Sequence, residues 1–341
     1  MAPNERVGVL LINTGSTDAP RVAETRAYLR QFLSDPRVLD INPVVRWLLL
    51  NLIILPTRPK NSAHAYSQVW TEKGSPLIVI SNELMDALKM RMPSVEFAIG
   101  MRYGNPSIES GFDALLAKGV DRVIAAPLFP QYSSAANGSA LELVYAIAGK
   151  RWNVPPVSVL PPCYAEPSFI DAWAAVVRPH LESFRPDLLL MSYHGLPERQ
   201  VKKSDKTGAH CLAGASCCDA IVDANQHCYR AQCYATSRLL AAKLGLSAEQ
   251  YSVSFQSRLG RDPWIKPHTD VVVPALPKQG VKRLAVICPA FTADCLETLE
   301  EIAMRAKGDF LTAGGAAFQF IPSLNAHPAW VDALAGMLDR I

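Results

Sequence analysis

His194 closes the apolar run 187–193 (DLLLMSY) and is followed by Gly195. An imidazole at the end of a strand projects where a sheet opens to solvent. Near neutral pH it can serve as a base or a ligand, and the glycine beside it leaves room for a bound molecule. A histidine that only hydrogen-bonds a neighbouring loop would occupy the same position. A second stretch, 287–302 (ICPAFTADCLETLEEI), reads as a strand end followed by a helix, which places Asp294, Glu297 and Glu301 at i, i+3 and i+7 on one face. Such a carboxylate row can pass protons or a hard cation inward, although acids in a first turn also favour the helix dipole while facing water. His194 and Glu297 are expected to face each other.

The third chemical feature is sulfur. Five of the eight cysteines fall within 23 residues, spaced C-x5-C-C-x9-C-x4-C from Cys211 to Cys233. Structural zinc sites usually show C-x2-C knuckles, whereas irregular loops of this kind hold iron–sulfur clusters. Four thiolates suffice, and adjacent side chains diverge, so Cys217 and Cys218 are not both expected to ligate. The expected set for a [2Fe-2S] cluster is Cys211, Cys218, Cys228 and Cys233, with Cys217 as the alternative to Cys218. Zinc helped by His210 or His227, and ordinary buried thiols, are the other readings.

These groups need a scaffold. At 341 residues the chain has room for about two domains. Hydrophobic residues at 49% and charged residues at 19% suit a packed globular protein and exclude a disordered or fibrous one. A formal charge of +3 with no basic block speaks against nucleic acid as a partner. Short β-branched runs at 6–13, 95–100, 122–127 and 157–160 alternate with helical spacing, and the scheme repeats with 187–193, 251–255, 283–288 and 318–321. Alternation of this kind predicts an α/β chain of two Rossmann-like, doubly wound parallel-sheet domains, 1–163 and 164–341, the second containing a cysteine-rich insertion over 204–233. Neither half has a Gly-x-Gly-x-x-Gly turn, which disfavours a dinucleotide. The longest apolar run, 44–56, is interrupted by Arg46 and Asn51 and is shorter than the ~20 residues that span a bilayer. No export signal stands at the start, so a cytoplasmic location with reduced cysteines is expected. The run 47–59 (WLLLNLIILPTRP), with Tyr28, Phe32, Leu33, Tyr103, Phe129, Tyr132 and Trp264, can line a slot for a large flat ligand. Arg46, Arg58, Lys60 and Arg102 would suit its carboxylates.

The segments LINTGSTDAP, YLRQFLSDPRVLDI, WLLLNLIILPTRP, YSQVWTEKGSPL, MRYGNPSI, PLFPQYSS, SYHGLPERQVKKSDKTG, FQSRLGRDPWIKPHTD and CPAFTADCLETLEEI, in this order, closely resemble the ferrochelatases over nearly the whole chain. The resemblance implies a chelatase-like pair of domains with a porphyrin cleft between them. It also implies insertion of ferrous iron into protoporphyrin IX to give protoheme, with release of two protons. Carried over residue by residue, His194 is the active-site histidine and Glu297 its acid partner, with Asp294 and Glu301 on the metal or proton path. Arg46, Leu49, Ile53, Arg58, Arg102, Tyr103, Tyr132, Ser133 and Trp264 are the expected porphyrin contacts. Some members have a histidine two positions before the acid, where this chain has Cys295. Several carry a [2Fe-2S] cluster, often near the C-terminus. This chain ends LAGMLDRI without a cysteine, so the 204–233 insertion would be its internal counterpart. The apolar lip is also expected to rest on a membrane surface, with Arg46, Arg58 and Lys60 reaching head groups. A cobalt or nickel chelatase of the same fold and a non-catalytic haem-binding or iron–sulfur sensor are the competing functions. The sequence carries no signal for a particular number of copies in the assembly.

Overall fold

The computed structural model describes residues 5–260 and 262–341, and the chain forms two compact units. One unit contains the described residues up to Phe129, together with Ser134–Pro162 and Val331–Ile341, and the other contains Pro130–Ser133 and Cys163–Trp330. They differ from the linear halves expected from the sequence for reasons of pairing. In the first unit Arg91 Nε meets Asp332 at 2.7 Å and Arg122 Nη1 donates to the Ile341 carbonyl at 3.3 Å. In the second, Gln131 Nε2 donates to Thr236 Oγ1 at 3.0 Å and the Tyr132 amide to Gln232 Oε1 at 2.6 Å.

The first unit runs β1 (Val7–Ser16), α1 (Val22–Ser34), α2 (Pro43–Leu48), a π-helical segment (Leu49–Ile54), α3 (Leu55–Val69), α4 (Pro76–Arg91), β2 (Glu96–Gly104), α5 (Ile108–Ala117), β3 (Arg122–Pro127), a second π-helical segment (Ser134–Gly138), α6 (Ser139–Gly149) and β4 (Val157–Val159). Its sheet has the order β2-β1-β3-β4, all parallel. Leu10, Ile12, Ala98, Val123 and Ala125 pack on one face with Ile108, Phe112 and Leu115 of α5 and Val144 of α6. The alternate residues Val9, Leu11, Phe97, Ile99 and Ile124 are buried on the other. Strands covered on both faces read as continuous apolar runs, as VGVLLI does. Each fully buried Leu or Ile contributes roughly 1.5–3 kcal/mol.

The second unit repeats the plan with α7 (Pro167–Phe184), β5 (Leu188–His194), α8 (Glu198–Lys203), α9 (Tyr229–Leu244), β6 (Tyr251–Gln256), α10 (Thr269–Ala275), β7 (Arg283–Ile287), a π-helical stretch (Glu297–Ala306), α11 (Lys307–Thr312), β8 (Ala317–Phe320) and α12 (Pro328–Leu338), whose last residues belong to the first unit. The parallel order β6-β5-β7-β8 again puts the unit's first strand inside, with its neighbours reached by crossovers in opposite directions. That reversal is a topological switch point, and ligands of open α/β sheets bind beyond the carboxyl ends of strands at such a point. His194 is the last residue of β5 and stands there.

Strands β1 and β2 run three and four residues past their expected ends at 13 and 100. Glycines permit the extension, because Gly15 pairs with Tyr103 and Gly104 with Ser16. Gly15 has φ +101°, and a Cβ there would lie 1.8 Å from the Tyr103 carbonyl oxygen. Gly15→Ala is therefore expected to destabilise the protein by more than about 2 kcal/mol, from left-handed strain plus a backbone clash. A thermal melt within 2 °C or so of the wild type would show that the extended pairing is not under this constraint.

Candidate active site

His194 Nδ1 lies 2.6 Å from the carbonyl oxygen of Gly195. A carbonyl only accepts, so Nδ1 donates this bond, and in the neutral ring the lone pair is then on Nε2. Aromatic rings flank the imidazole, with Trp264 and Phe291 centroids 6.4 and 6.3 Å away. Trp264 is fixed by its indole N–H, which donates to the Leu259 carbonyl at 2.8 Å, and by a backbone bridge to Pro197. The glycine following the histidine is required by this packing: a Cβ on Gly195 would stand 3.0 Å from the Trp264 ring and 2.9 Å from the Gln256 carbonyl.

The acids are held differently from the expected row. The helix begins only after Asp294, and Glu297–Ala306 is π-helical, a form that recurs at functional sites. Asp294 is buried and its carboxylate accepts from Thr298 Oγ1 and Asn325 Nδ2, both at 2.9 Å, and from the Ser323 amide at 3.2 Å. These neighbours make it a cap for the loop that precedes the helix. Glu301 accepts from the Ser257 amide at 2.8 Å and its hydroxyl at 2.5 Å. Glu297 is half-buried, receives the Cys295 thiol hydrogen, and has its carbonyl bound by Gln256 Nε2 at 2.9 Å. Gln256 is also the strand partner of His194, so the first π turn and the end of β5 are tied to one residue. Gln256, Ser257 and Phe291 were not singled out from the sequence. The FQS of the motif FQSRLG was the available signal for the first two.

In the first unit, Arg102 and Tyr103, expected to face porphyrin, are committed to a buried acid. Arg102 Nη2 and the Tyr103 hydroxyl meet Asp35 Oδ2 at 2.7 and 2.8 Å, and Ser139 Oγ meets it at 2.5 Å. Burial alone would raise the Asp35 pKa, but the hydrogen bonds from Ser139, the Arg37 amide and Tyr103, with the Arg102 charge, hold it below the usual value. Tyr103 is 1% exposed, which leaves its ring no surface for a ligand, and Leu33 is likewise core. The lip is anchored at its base, where Leu50 and Leu55 pack with Leu29 and Leu33, and the Asn51 and Thr57 side chains donate to carbonyls one turn back. Above that base Trp47, Leu52 and Ile53 are 60%, 64% and 57% exposed. Arg46 donates to the Leu39 carbonyl at 3.2 Å. Arg46 lines a pocket of about 310 Å³ with Arg30, Ser34, Pro43, Trp47, Leu50 and Asn51. Leu49 and Arg58 are half-buried on the same helical stretch, and burial lowers the Arg58 pKa. Tyr132 and Ser133 lie in the second unit, Tyr132 with its ring 5.8 Å from His227.

The cysteine loop is organised by two polar side chains. Asp205 accepts from the amides of Thr207, His210 and Cys211 at 2.7–2.8 Å, which holds its pKa well down. Buried Asn225 donates to the carbonyls of Cys217 and Ala220 at 2.9 and 2.8 Å. Inside, Cys217 and Cys218 sulfurs are 3.7 Å apart, and the Cys228 thiol contacts those of Cys211 and Cys218. Cys233 lies on α9, where it bonds the Tyr229 hydroxyl instead. Cys211, Cys217, Cys218 and Cys228 are thus linked by direct sulfur contacts, so the adjacent pair does not diverge as expected, and Cys233 also lies within electrostatic reach of Cys218. The loop is irregular at 217–218, so strand or helix geometry does not force those two side chains apart. His210 Nε2 donates to the Cys217 carbonyl at 3.0 Å, which fixes the ring against the loop. Among the described residues, no three His, Cys, Asp or Glu side chains surround a position for a single metal ion.

A family profile described as Ferrochelatase matches residues 6–340. The ferrochelatase of Coxiella burnetii is 47% identical over 339 residues, covering 99% of this chain and 94% of that protein. The chain belongs to the ferrochelatase family. The ferrochelatase of Pseudomonas aeruginosa is also 47% identical, over 98% of this chain and 97% of that one. Among solved structures, SirB from Bacillus subtilis with Fe3+ aligns at a TM-score of 0.53 and 13% identity over 98% of this chain and 95% of that one, which establishes the chelatase-like fold. Glu297 is the acid expected from the sequence to take part, whereas Glu300 is paired with Arg305. Glu297→Gln should therefore slow metalloporphyrin formation at least about tenfold, while Glu300→Gln stays within about twofold. Equal losses in the two variants would show that the acid has been placed on the wrong side of the helix.

Proposed function

We propose that this ferrochelatase inserts ferrous iron into protoporphyrin IX, with His194 Nε2 taking a pyrrole proton and Glu297 and Glu301 serving the metal and the departing protons. The observation that carries the residue assignment is the Nδ1–H bond to Gly195, which fixes the tautomer and leaves a basic nitrogen in an aromatic wall. The reaction is redox neutral: two N–H bonds break, two protons leave and Fe2+ takes their place. A neutral imidazole is suited to accept protons near pH 7. Trp264, packed against His194, offers a flat apolar surface for the macrocycle. His194→Ala is expected to cut haem formation at least about a hundredfold while leaving porphyrin binding, followed by fluorescence quenching, near the wild-type level. Activity within a few-fold of wild type would overturn the assignment.

The four converging thiols fit a [2Fe-2S] cluster by donor chemistry. They are buried together, and the loop around them has few large apolar side chains to explain that burial. When bound, the cluster would supply one-electron chemistry, which the insertion does not use, and a cross-link of the loop.

We place the enzyme in the cytoplasm, resting peripherally on the inner face of the membrane. No described helix is long and apolar enough to cross a membrane. The support for surface contact is the exposed apolar side chains Trp47, Leu48, Leu52 and Ile53 with Arg30, Arg46 and Lys60 nearby. Replacing Leu52 and Ile53 together with Ser should weaken sedimentation with anionic vesicles at least about fivefold and leave the melting temperature nearly unchanged, since both side chains are exposed. Unchanged vesicle binding would remove the membrane from this reading.

A further inference from the structure

We propose that Arg230 is a positioning residue that joins the cysteine nest to the segment packed on His194, donating at once to the nest sulfurs and to the Lys266 carbonyl. The inference rests on the iron–sulfur reading of the nest and deepens it. Arg230 stands in the first turn of α9, two residues after Cys228. Its Nη1 lies 3.1 Å from Cys218 Sγ and 3.9 Å from Cys217 Sγ, and its Nε is 3.5 Å from the Lys266 oxygen. The guanidinium lies over the Tyr234 ring, 4.8 Å from its centroid, and this stacking sets the plane of the fork.

Lys266 belongs to a short run with two fastenings. The Ile265 amide donates to the Leu196 carbonyl at 3.0 Å and the Phe255 amide to the Pro267 carbonyl at 2.8 Å. Trp264, two residues before Lys266, forms one wall around His194. Arg230 therefore connects the loop that would hold the cluster with the wall beside the catalytic base. Arg238, also on α9, donates to the Cys218 carbonyl at 2.9 Å, and Ser237 bonds the hydroxyl of Tyr193, the residue before His194, at 2.7 Å. The helix is thus fixed to both. Two consequences are separable. A cationic N–H donor on a ligand sulfur stabilises the more negative, reduced cluster and raises its potential. A planar fork that spans a sulfur and a carbonyl restrains the 257–268 segment, which an ammonium on a flexible stem does not reproduce.

The test uses full-length protein purified without oxygen, as wild type, Arg230→Met and Arg230→Lys. Iron and acid-labile sulfide, the midpoint potential, bleaching by a chelator and backbone hydrogen exchange over 257–268 are measured, with kcat and KM beside them. Wild type is expected to hold two irons and two sulfides. Arg230→Met should have a lower potential, lose iron about tenfold faster to the chelator and exchange faster over 257–268. Arg230→Lys should recover the potential and keep the faster exchange. Wild-type protein with no iron and sulfide overturns the cluster reading itself. A loaded Arg230→Met with unchanged potential and exchange overturns the role of Arg230 alone. If the Met variant does not fold, Arg230→Lys decides: exchange equal to wild type overturns the bridge, and faster exchange at an unchanged potential supports it.

Discussion

Gln256 is buried at the carboxyl end of β6, and its hydrogen bonds hold together the parts on which the second unit's chemistry depends. Its backbone carbonyl receives the Gly195 amide at 2.8 Å, and its side-chain oxygen accepts from Ser192 at 2.8 Å and from the Cys288 thiol at 3.6 Å. Its side-chain nitrogen donates to the Glu297 carbonyl. A buried amide left unpaired costs about 1–3 kcal/mol per group, so these partners are not interchangeable with water. The result is that β5, β7 and the π-helical stretch cannot shift independently. The imidazole direction depends on this arrangement, because Gly195, whose carbonyl accepts from Nδ1, is held by its amide to Gln256.

The first unit shows a different use of buried polarity. Asp35 collects Arg102 and Tyr103 from β2 and Ser139 from α6, which fixes the loop leading from α1 to the lip. From that rigid base the helical run 43–69 rises with a π turn at Leu49–Ile54. Its buried side, Leu50 and Leu55, secures it, while Trp47, Leu52 and Ile53 stay in solvent. Large exposed apolar side chains in a row are uncommon on a protein without a binding surface there. A firmly held base with an apolar crest suits a surface that must meet a poorly soluble, flat substrate.

The cysteine loop has little apolar core and depends on Asp205 and Asn225 for its shape. Both act through backbone amides and carbonyls, so the positions of the sulfurs follow from main-chain geometry more than from packing of the thiols. Helix α9 then carries the loop's arginines toward the catalytic strand. Ferrochelatase chemistry uses no electron, and the structural link to the Trp264 segment offers a physical route by which the state of this loop can reach His194.

The sequence by itself determined the strands, their parallel arrangement and the position of His194. Apolar runs buried on both faces and the residue that ends them are local features, readable from a few neighbouring positions. The family was legible in the order of nine motifs, and comparison with relatives bears it out. The tertiary structure alone decided which polar residues are free to act. Asp294 reads as a member of an acidic row, and its oxygens are held by Asn325, 31 residues on, and by Ser323. Tyr103 looked like a wall of the ligand slot until Asp35, 68 positions away, buried its hydroxyl. The contact of Cys217 with Cys218 followed from an irregular loop whose path is set by Asp205 and Asn225, and the C-terminal tail joined the first unit through Arg91 and Arg122. Each of these depends on partners distant in sequence, and no periodicity or spacing encodes which distant partner a polar group will meet.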